Sequence, residues 1–337
     1  MRATRWWPSC LCETYRCENL FESIEIADQF FQSSLQTWHS RQRPKRQRLR
    51  RQLPDVLIRI YQMTFANDEV LRFYRELPFN TFGDQEEHKE NIQSGVSLRN
   101  HPPLLEILSN QTRVLEVGCG VGWLSAQIFE RFHSSVTAID FNRVAVEMAQ
   151  KSANSLKIPV DYQVADLFLY SPDIKFDVCV SLGVLHHTNN CIYAVQRCTN
   201  HFIKSGGYFY VGLYHLYGRR PFLTYFEKMS QNGASEMDLL KEYARLSQVK
   251  TDDKHLFSWF RDQVLHPHET QHTLKEITEV CAKSGARLVS TSINQFKKFD
   301  SESELFEREI EYEEVSKQRI AEGKYFPGFF TALYQKN

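Results

Sequence analysis

The pattern of apolar positions in the first third of the chain has helical spacing. Apolar residues recur at this spacing between positions 54 and 77, with a break near residues 65 to 68. A polar helical stretch follows at 85–93, and a pair of prolines at 102–103 opens another short helix, where proline is tolerated. We therefore predict a helical N-terminal cap over residues 54–110.

From residue 112 onward, short apolar runs alternate with helical patterns. Asn142 has the residue type and position of a helix N-cap after the second run. Alternation of this length predicts right-handed crossovers and a sheet with helices on both faces. The predicted fold class for residues 111–337 is α/β, a Rossmann-like doubly wound sheet, mostly parallel with an antiparallel last strand. The five predicted core strands are TRVLEV, SSVTAID, VDYQVAD, KFDVCVSL and GGYFYVGLY.

A segment rich in aromatic and charged residues, 215–272, follows the fifth predicted strand. The next helix is predicted to begin at Thr273, because Thr273 and Glu276 have the spacing of a capping box, and to stop at Gly285. Loops at the carboxyl ends of strands commonly carry binding residues. We predict that residues 215–272 form a lid over a ligand pocket.

Composition limits the classes of partner. The 337 residues contain 41 Lys+Arg and 41 Asp+Glu, so no overall field would steer the chain to nucleic acid or to an anionic membrane. No apolar stretch reaches the length of a bilayer span, and the eight cysteines are scattered, as reduced thiols are. A cytoplasmic protein without a membrane span is the expectation.

Residues 1–53 differ from the rest of the chain. Cys10, Cys12 and Cys17 lack a fourth metal ligand, and the run RQRPKRQRLRRQ at 41–52 lacks the aromatic residues that interleave with basic ones in nucleic-acid sites. We predict a basic, disordered N-terminal segment. Nucleic-acid binding through residues 41–52 stays open as an alternative.

The stretch VLEVGCGVGWL, at 114–124, predicts a ligand-binding turn after the first strand. Gly118, Gly120 and Gly122 are spaced G-x-G-x-G, whereas the dinucleotide fingerprint needs a third glycine where this chain has Trp123. Glu116 would repel a diphosphate and attract an ammonium group. The turn therefore favours a ligand with an amino group.

These residues resemble the first motif of the class I methyltransferases that use S-adenosyl-L-methionine, E/D-x-G-x-G-x-G. The resemblance covers roughly residues 95 to 215 and the final helix and strands. It implies that Asp140 binds the ribose hydroxyls and that Asp166, with Leu167 beside it, binds the adenine amino group. It also implies that Leu182 and Gly183 lie against the methionine part. The segments PFNTFGD, GLYHLYGRRPF and DQVLHPHETQHT resemble a sparsely characterised bacterial branch of the family.

Candidate catalytic residues follow the fourth and fifth strands. A sulfonium methyl is already activated, so catalysis rests on aligning the acceptor and excluding water, with a base only where the acceptor arrives protonated. His186 and His187 are candidate bases, and Tyr214 is an alternative. The other interpretation of the two histidines is a buried, hydrogen-bonded role in orienting the loop.

Candidate acceptor-binding residues lie in the predicted lid. Tyr217, Arg219 and Arg220 combine an aromatic wall with two guanidinium groups that suit a carboxylate or phosphate. The alternative is that these arginines begin a solvated helix. Glu269 and His272 belong to HETQH, which has the letters of a zinc-protease motif, but a helix that begins at Thr273 would leave its histidines outside the helix. We therefore predict substrate contacts for Glu269 and His272 and no metal.

Together these features predict an S-adenosylmethionine-dependent methyltransferase acting at O, N or C of a small molecule, with anionic and aromatic acceptors among the options. Two alternatives remain. One is a tRNA-modifying methyltransferase, and the other is a non-catalytic partner subunit that keeps the fold.

Overall fold

The computed structural model describes residues 67–248 and 254–337. The predicted basic segment, the helical pattern up to residue 66 and residues 249–253 of the predicted lid lie outside the described residues. Among the described residues, no helix is both long and apolar enough to cross a membrane.

From residue 67 onward, four short helices precede the sheet: α1 (Asp68–Glu76), α2 (Gln85–Ser94), α3 (Val96–Arg99) and α4 (Pro102–Ile107). Asn67 caps α1 by accepting hydrogen bonds from the amides of the first turn. Asp84 and Glu87 form a complete capping box at the start of α2. The polar stretch predicted as a helix is therefore helical. Its capping box stabilises the helix although few of its residues are apolar.

Seven strands form one sheet in the order β3-β2-β1-β4-β5-β7-β6. All neighbouring pairs are parallel except those of β7, which runs antiparallel to β5 and to β6. The predicted fold class is confirmed. The strands are β1 (Arg113–Val117), β2 (Ser135–Asp140), β3 (Asp161–Val164), β4 (Phe176–Leu182), β5 (Ile203–Tyr214), β6 (Ala286–Thr291) and β7 (Phe329–Lys336).

Helices cross over between the strands and bury both faces of the sheet. They are α5 (Trp123–Phe132), α6 (Arg143–Leu156) and α7 (Cys191–Arg197). Asn142 caps α6 as predicted, through its side chain and the amide of Val144. Helix α7 ends at Arg197 and continues as a π-helical turn, Cys198–Phe202.

Three helices follow β5: α8 (Leu216–Gln231), α9 (Glu236–Ser247) and α10 (Lys254–Val264). They share an apolar cluster of their own that includes Phe222, Tyr243 and Phe260. The two ends of this inserted segment lie side by side at the end of β5. The amide of His272 donates to the carbonyl of Tyr214, and the amide of Leu216 donates to the carbonyl of His272. The insertion is thus a separate small layer at the carboxyl end of β5.

The remaining helices are α11 (Leu274–Lys283), α12 (Glu302–Arg308) and α13 (Tyr312–Ala321). Thr273 caps α11 as predicted, but only half of the capping box forms, because the Glu276 carboxylate accepts from His272 Nδ1 at 2.8 Å instead of from the cap. The charged stretch at 301–321 forms two helices, which are separated at Glu309. This buried carboxylate turns inward, 2.9 Å from His215 Nε2, and accepts from the first amides of α11.

Candidate active site

A cavity of about 560 Å³ lies at the carboxyl ends of β1, β2, β4 and β5. Parallel α/β sheets bind ligands at this edge, beside the first strand. Residues from α1 and α10 also reach the wall. Of the predicted cofactor-binding residues, the cavity wall includes Glu116, Gly118, Gly120, Asp140, Asp166, Leu167, Leu182 and Gly183.

The three glycines of the turn have different surroundings. A Cβ on Gly118 would lie 2.3 Å from Val184 Cγ2, and one on Gly122 would lie 2.6 Å from both Ala149 and the Tyr162 hydroxyl. At Gly120 nothing lies within 4 Å of that position, and its φ of +51° is in the left-handed region. Gly120 therefore faces open cavity, whereas Gly122 allows helix and sheet to pack and is not part of the wall.

Glu116 is buried at the end of β1, and its Oε2 has no hydrogen-bond partner. Burial raises the pKa of this carboxyl to about 8, although the hydrogen bonds from Ser125 act to lower it. A buried acceptor without a donor is costly, and an ammonium group in the cavity would supply the missing hydrogen and a compensating charge. The residue therefore fits the amino group of S-adenosylmethionine.

Asp140 is the last residue of β2, Asp166 follows β3, and both reach the same cavity. Asp140 accepts from the amide of Gly120 at 2.9 Å and from that of Asn142 at 2.8 Å, one bond to each oxygen. Each oxygen keeps a further lone pair, so a vicinal diol can still bind. Asp166 accepts from the amide of Phe168 at 2.8 Å, which orients its carboxylate at the cavity wall.

The two predicted histidines form a hydrogen-bonded chain whose tautomers can be assigned. The amide of Tyr214 donates to His186 Nδ1 at 3.3 Å, so neutral His186 carries its hydrogen on Nε2, which lies 3.1 Å from His187 Nε2. His187 Nδ1 donates to the carbonyl of His268 at 2.9 Å, which leaves its Nε2 as an acceptor. Burial lowers the pKa of both rings. His187 lines the cavity, whereas the fully buried His186 does not.

Asp262, in α10, is a cavity residue that the sequence did not indicate. Tyr74 donates to its Oδ1 at 2.5 Å, and Tyr214 donates to its Oδ2 at 3.1 Å. Gln263 Nε2 donates to the same Oδ2 at 2.9 Å, and His187 Nε2 lies 3.9 Å from Oδ1. Four elements distant in sequence thus meet at one buried carboxylate.

The residues predicted to contact the acceptor do not line the cavity, and this prediction needs correction. Arg219 is fully buried, its guanidinium lies 3.9 Å from the centre of the Tyr214 ring, and it holds Glu269 through two bonds of 3.0 and 2.6 Å. Its charge is therefore compensated inside the protein. Tyr217, Arg220 and His272 are also absent from the wall.

The HETQH segment lacks the geometry of a zinc-protease site. It precedes α11, and its two histidines make separate contacts, His268 Nε2 with the carbonyl of Thr188 at 3.1 Å and His272 Nδ1 with Glu276. A different trio, His187, Asp262 and His266, has possible ligand atoms within 4.8 Å of one another. However, the amide of His268 donates to His266 Nδ1, so neutral His266 carries a hydrogen on Nε2, the nitrogen it would otherwise offer.

Residues 114–207 match a protein-family model described as "Methyltransferase domain". The chain is 29% identical over 118 residues to a ubiquinone biosynthesis O-methyltransferase of Pelagibacter ubique, and 30% identical over 122 residues to phosphoethanolamine N-methyltransferase 1 of Arabidopsis thaliana. These alignments cover 35% and 36% of this chain and 47% and 25% of the relatives. The chain thus spans less than half the length of the curated relatives it matches.

A solved structure of PKMT2 from Rickettsia typhi, in complex with AdoHcy, has the same fold. The TM-score is 0.51 at 17% identity, and the match covers 68% of this chain and 49% of that one. The family match confirms the predicted family for residues 114–207, and the solved structure shows that the fold is shared. The chain carries a class I S-adenosylmethionine-dependent methyltransferase domain, and S-adenosyl-L-methionine is the methyl donor of this domain class.

Proposed function

We propose that the whole chain is a methyltransferase that binds S-adenosylmethionine in the cavity and methylates a small molecule held beside it. The observation that carries the proposal is the buried, unpartnered Oε2 of Glu116 next to the open space at Gly120. Polar groups that would bind a cationic amino acid are thus already in place. Two relatives named for methylation at O and at N of small molecules support the acceptor class.

In this proposal the donor-binding residues have separate tasks. Glu116 binds the ammonium group, Asp140 the ribose hydroxyls and Asp166 the adenine amino group, while Gly120 leaves room for the ligand. The cofactor supplies a methyl group on positively charged sulfur. Tyr214, His187 and Asp262 border the adjoining space over β4 and β5, where they would position the acceptor and exclude water.

Transfer of a labelled methyl group tests this function. Purified protein with S-adenosylmethionine labelled in the methyl group is incubated with a small-molecule cell extract, and label is followed into new small molecules. We expect transfer by the wild type and none by Gly120→Val, whose side chain would occupy donor space. No labelled product with the wild type, or equal product with a folded Gly120→Val, would contradict the proposal.

A further inference from the structure

The polar atoms at the acceptor end of the cavity are almost all hydrogen-bond acceptors. We define the acceptor end as the part of the wall formed by Tyr74, Phe79, His187, Tyr214, Trp259, Asp262, Gln263, Tyr325 and Phe329. Which chemical group can bind there depends on where the hydrogens of these side chains already point.

Both tyrosine hydroxyls beside Asp262 give their hydrogens to its carboxylate, Tyr74 at 2.5 Å and Tyr214 at 3.1 Å. Burial and the charge of Asp262 raise the pKa of each phenol, so both keep these hydrogens. The amide nitrogen of Gln263 donates to the Tyr214 hydroxyl at 2.6 Å and to Asp262 at 2.9 Å. These three side chains have no hydrogen left to offer, while their oxygens and Oδ1 of Asp262 retain lone pairs.

His187 adds no hydrogen either. Its Nδ1 hydrogen is used by the carbonyl of His268, and the lone pair of its Nε2 accepts from His186 Nε2. Tyr325 is the exception at this end, because its hydroxyl has no hydrogen-bond partner and can donate or accept.

The charges of the residues that line the cavity favour the same kind of ligand as their hydrogen bonds do. Among the described residues that line the cavity, four are carboxylates, Glu116, Asp140, Asp166 and Asp262, and none is a lysine or an arginine. The first three are the proposed contacts of the cationic donor, so Asp262 is the acidic residue of the wall that remains for an acceptor. Arg219 does not offset it at the wall, because this guanidinium lies behind the Tyr214 ring and pairs with Glu269.

Aromatic rings complete the acceptor end. Phe79 and Trp259 pack at 4.8 Å between centroids, and the rings of Tyr74, Tyr214 and Phe329 also reach the wall. Ring faces attract cations, more strongly where water is excluded. A carboxylate that binds two of these tyrosines, in a wall lined by aromatic rings, favours a compact cation that carries hydrogens.

We propose that the acceptor is an amine, bound at Asp262 as an ammonium ion, so that the chain is an N-methyltransferase that rejects carboxylates and phosphates. This inference rests on the proposed function and specifies its substrate class. For transfer, the ammonium gives one proton to the Asp262 carboxylate. The freed lone pair then forms the nitrogen–carbon bond as the carbon–sulfur bond breaks, and the electron pair of that bond stays on sulfur.

Calorimetric binding of matched small probes tests the inference without turnover. The full chain is first saturated with S-adenosylhomocysteine, and this titration alone tests the donor site. The probes are 2-phenylethylamine, 2-phenylethanol and phenylacetate, together with butylamine, butanol and butanoate, measured at neutral pH. We expect at least one amine to bind at least tenfold more tightly than the alcohol and the carboxylate of the same shape.

The variant Asp262→Asn keeps the shape of the side chain and removes its charge. It should lower the affinity of that amine by tenfold or more, since hydrogen bonds to charged groups contribute on that scale, and leave S-adenosylhomocysteine affinity within about twofold. Asp173→Asn makes the same change on the surface and should alter neither affinity. Tyr325→Phe should weaken the amine less than Asp262→Asn does.

Three outcomes separate the two proposals. Amines that bind no better than the matched alcohols, or carboxylates that bind best, overturn the amine assignment even when S-adenosylhomocysteine binds. An amine preference that survives Asp262→Asn overturns the role of Asp262. Failure of S-adenosylhomocysteine to bind at all overturns the proposed function itself.

Discussion

Donor binding should release a proton from Glu116. The pKa of this buried carboxyl is about 8, so the group is protonated in roughly nine of ten ligand-free molecules at pH 7, while an ammonium ligand needs it ionised. Ionisation at pH 7 then costs about 1.4 kcal/mol, the free energy of one pKa unit. Apparent affinity for S-adenosylhomocysteine should fall roughly 50-fold from pH 8 to pH 6 on this basis, with about 0.9 proton released at pH 7.

The assay is calorimetry at pH 7 in two buffers whose ionisation enthalpies differ, because the difference in observed enthalpy counts the protons released. The variant Glu116→Gln cannot ionise, so it should bind more weakly at pH 8 and lose most of the proton release. Burial also raises the pKa of Asp140, which acts in the same direction in both proteins. Equal proton release by wild type and variant would refute the assignment of the ammonium group to Glu116.

Three further predictions address packing and stability. Gly120→Ala and Gly233→Ala both place a side chain at positive φ with free space around it, so each should cost about 1 kcal/mol in urea unfolding, but only Gly120→Ala should weaken S-adenosylhomocysteine binding. Arg219→Leu should cost about 3–5 kcal/mol, because the largely buried Glu269 loses its counter-charge and keeps only a hydrogen bond from Gln271, while the folded fraction still binds S-adenosylhomocysteine; an unchanged urea midpoint would contradict this. Glu116→Gln should raise the melting temperature of the ligand-free protein more at pH 8.5 than at pH 5. The pKa of Glu116 is about 8 in the folded state, above the usual 4.5, so the wild type loses stability as the pH rises between these two values. An equal gain at both pH values would contradict the burial of a protonated carboxyl.

The shared position of the proposed donor-binding residues at one cavity wall could be predicted, because it depends on short-range sequence. Glu116, Asp140 and Asp166 each stand within or directly after a strand, and parallel strands bring their carboxyl ends to one edge of the sheet. The same reasoning assigned a ligand-binding role to Gly122, which is not part of the cavity wall. A motif does not distinguish a glycine that faces a ligand from one that lets Tyr162 pack against the turn.

The acceptor half could not be predicted, because its contacts join residues far apart in the chain. Tyr74 and Asp262 are 188 positions apart, and no local pattern marks either of them. Arg219 has the residue type of an anion site, but its partner Glu269 lies 50 positions away and neutralises it. Only the folded chain reveals that this arginine is structural and that the carboxylate in α10 is the charge left at the wall.

Titration of S-adenosylhomocysteine into the full chain is the most direct test that the cavity is a donor site. We expect one molecule bound per chain by calorimetry. Asp140→Asn should weaken binding by about 1–3 kcal/mol, the scale of hydrogen bonds to a charged group, and surface variant Asp173→Asn should not. No binding to the wild type, or the same affinity in a folded Asp140→Asn variant, would contradict the assignment of the donor site to this cavity.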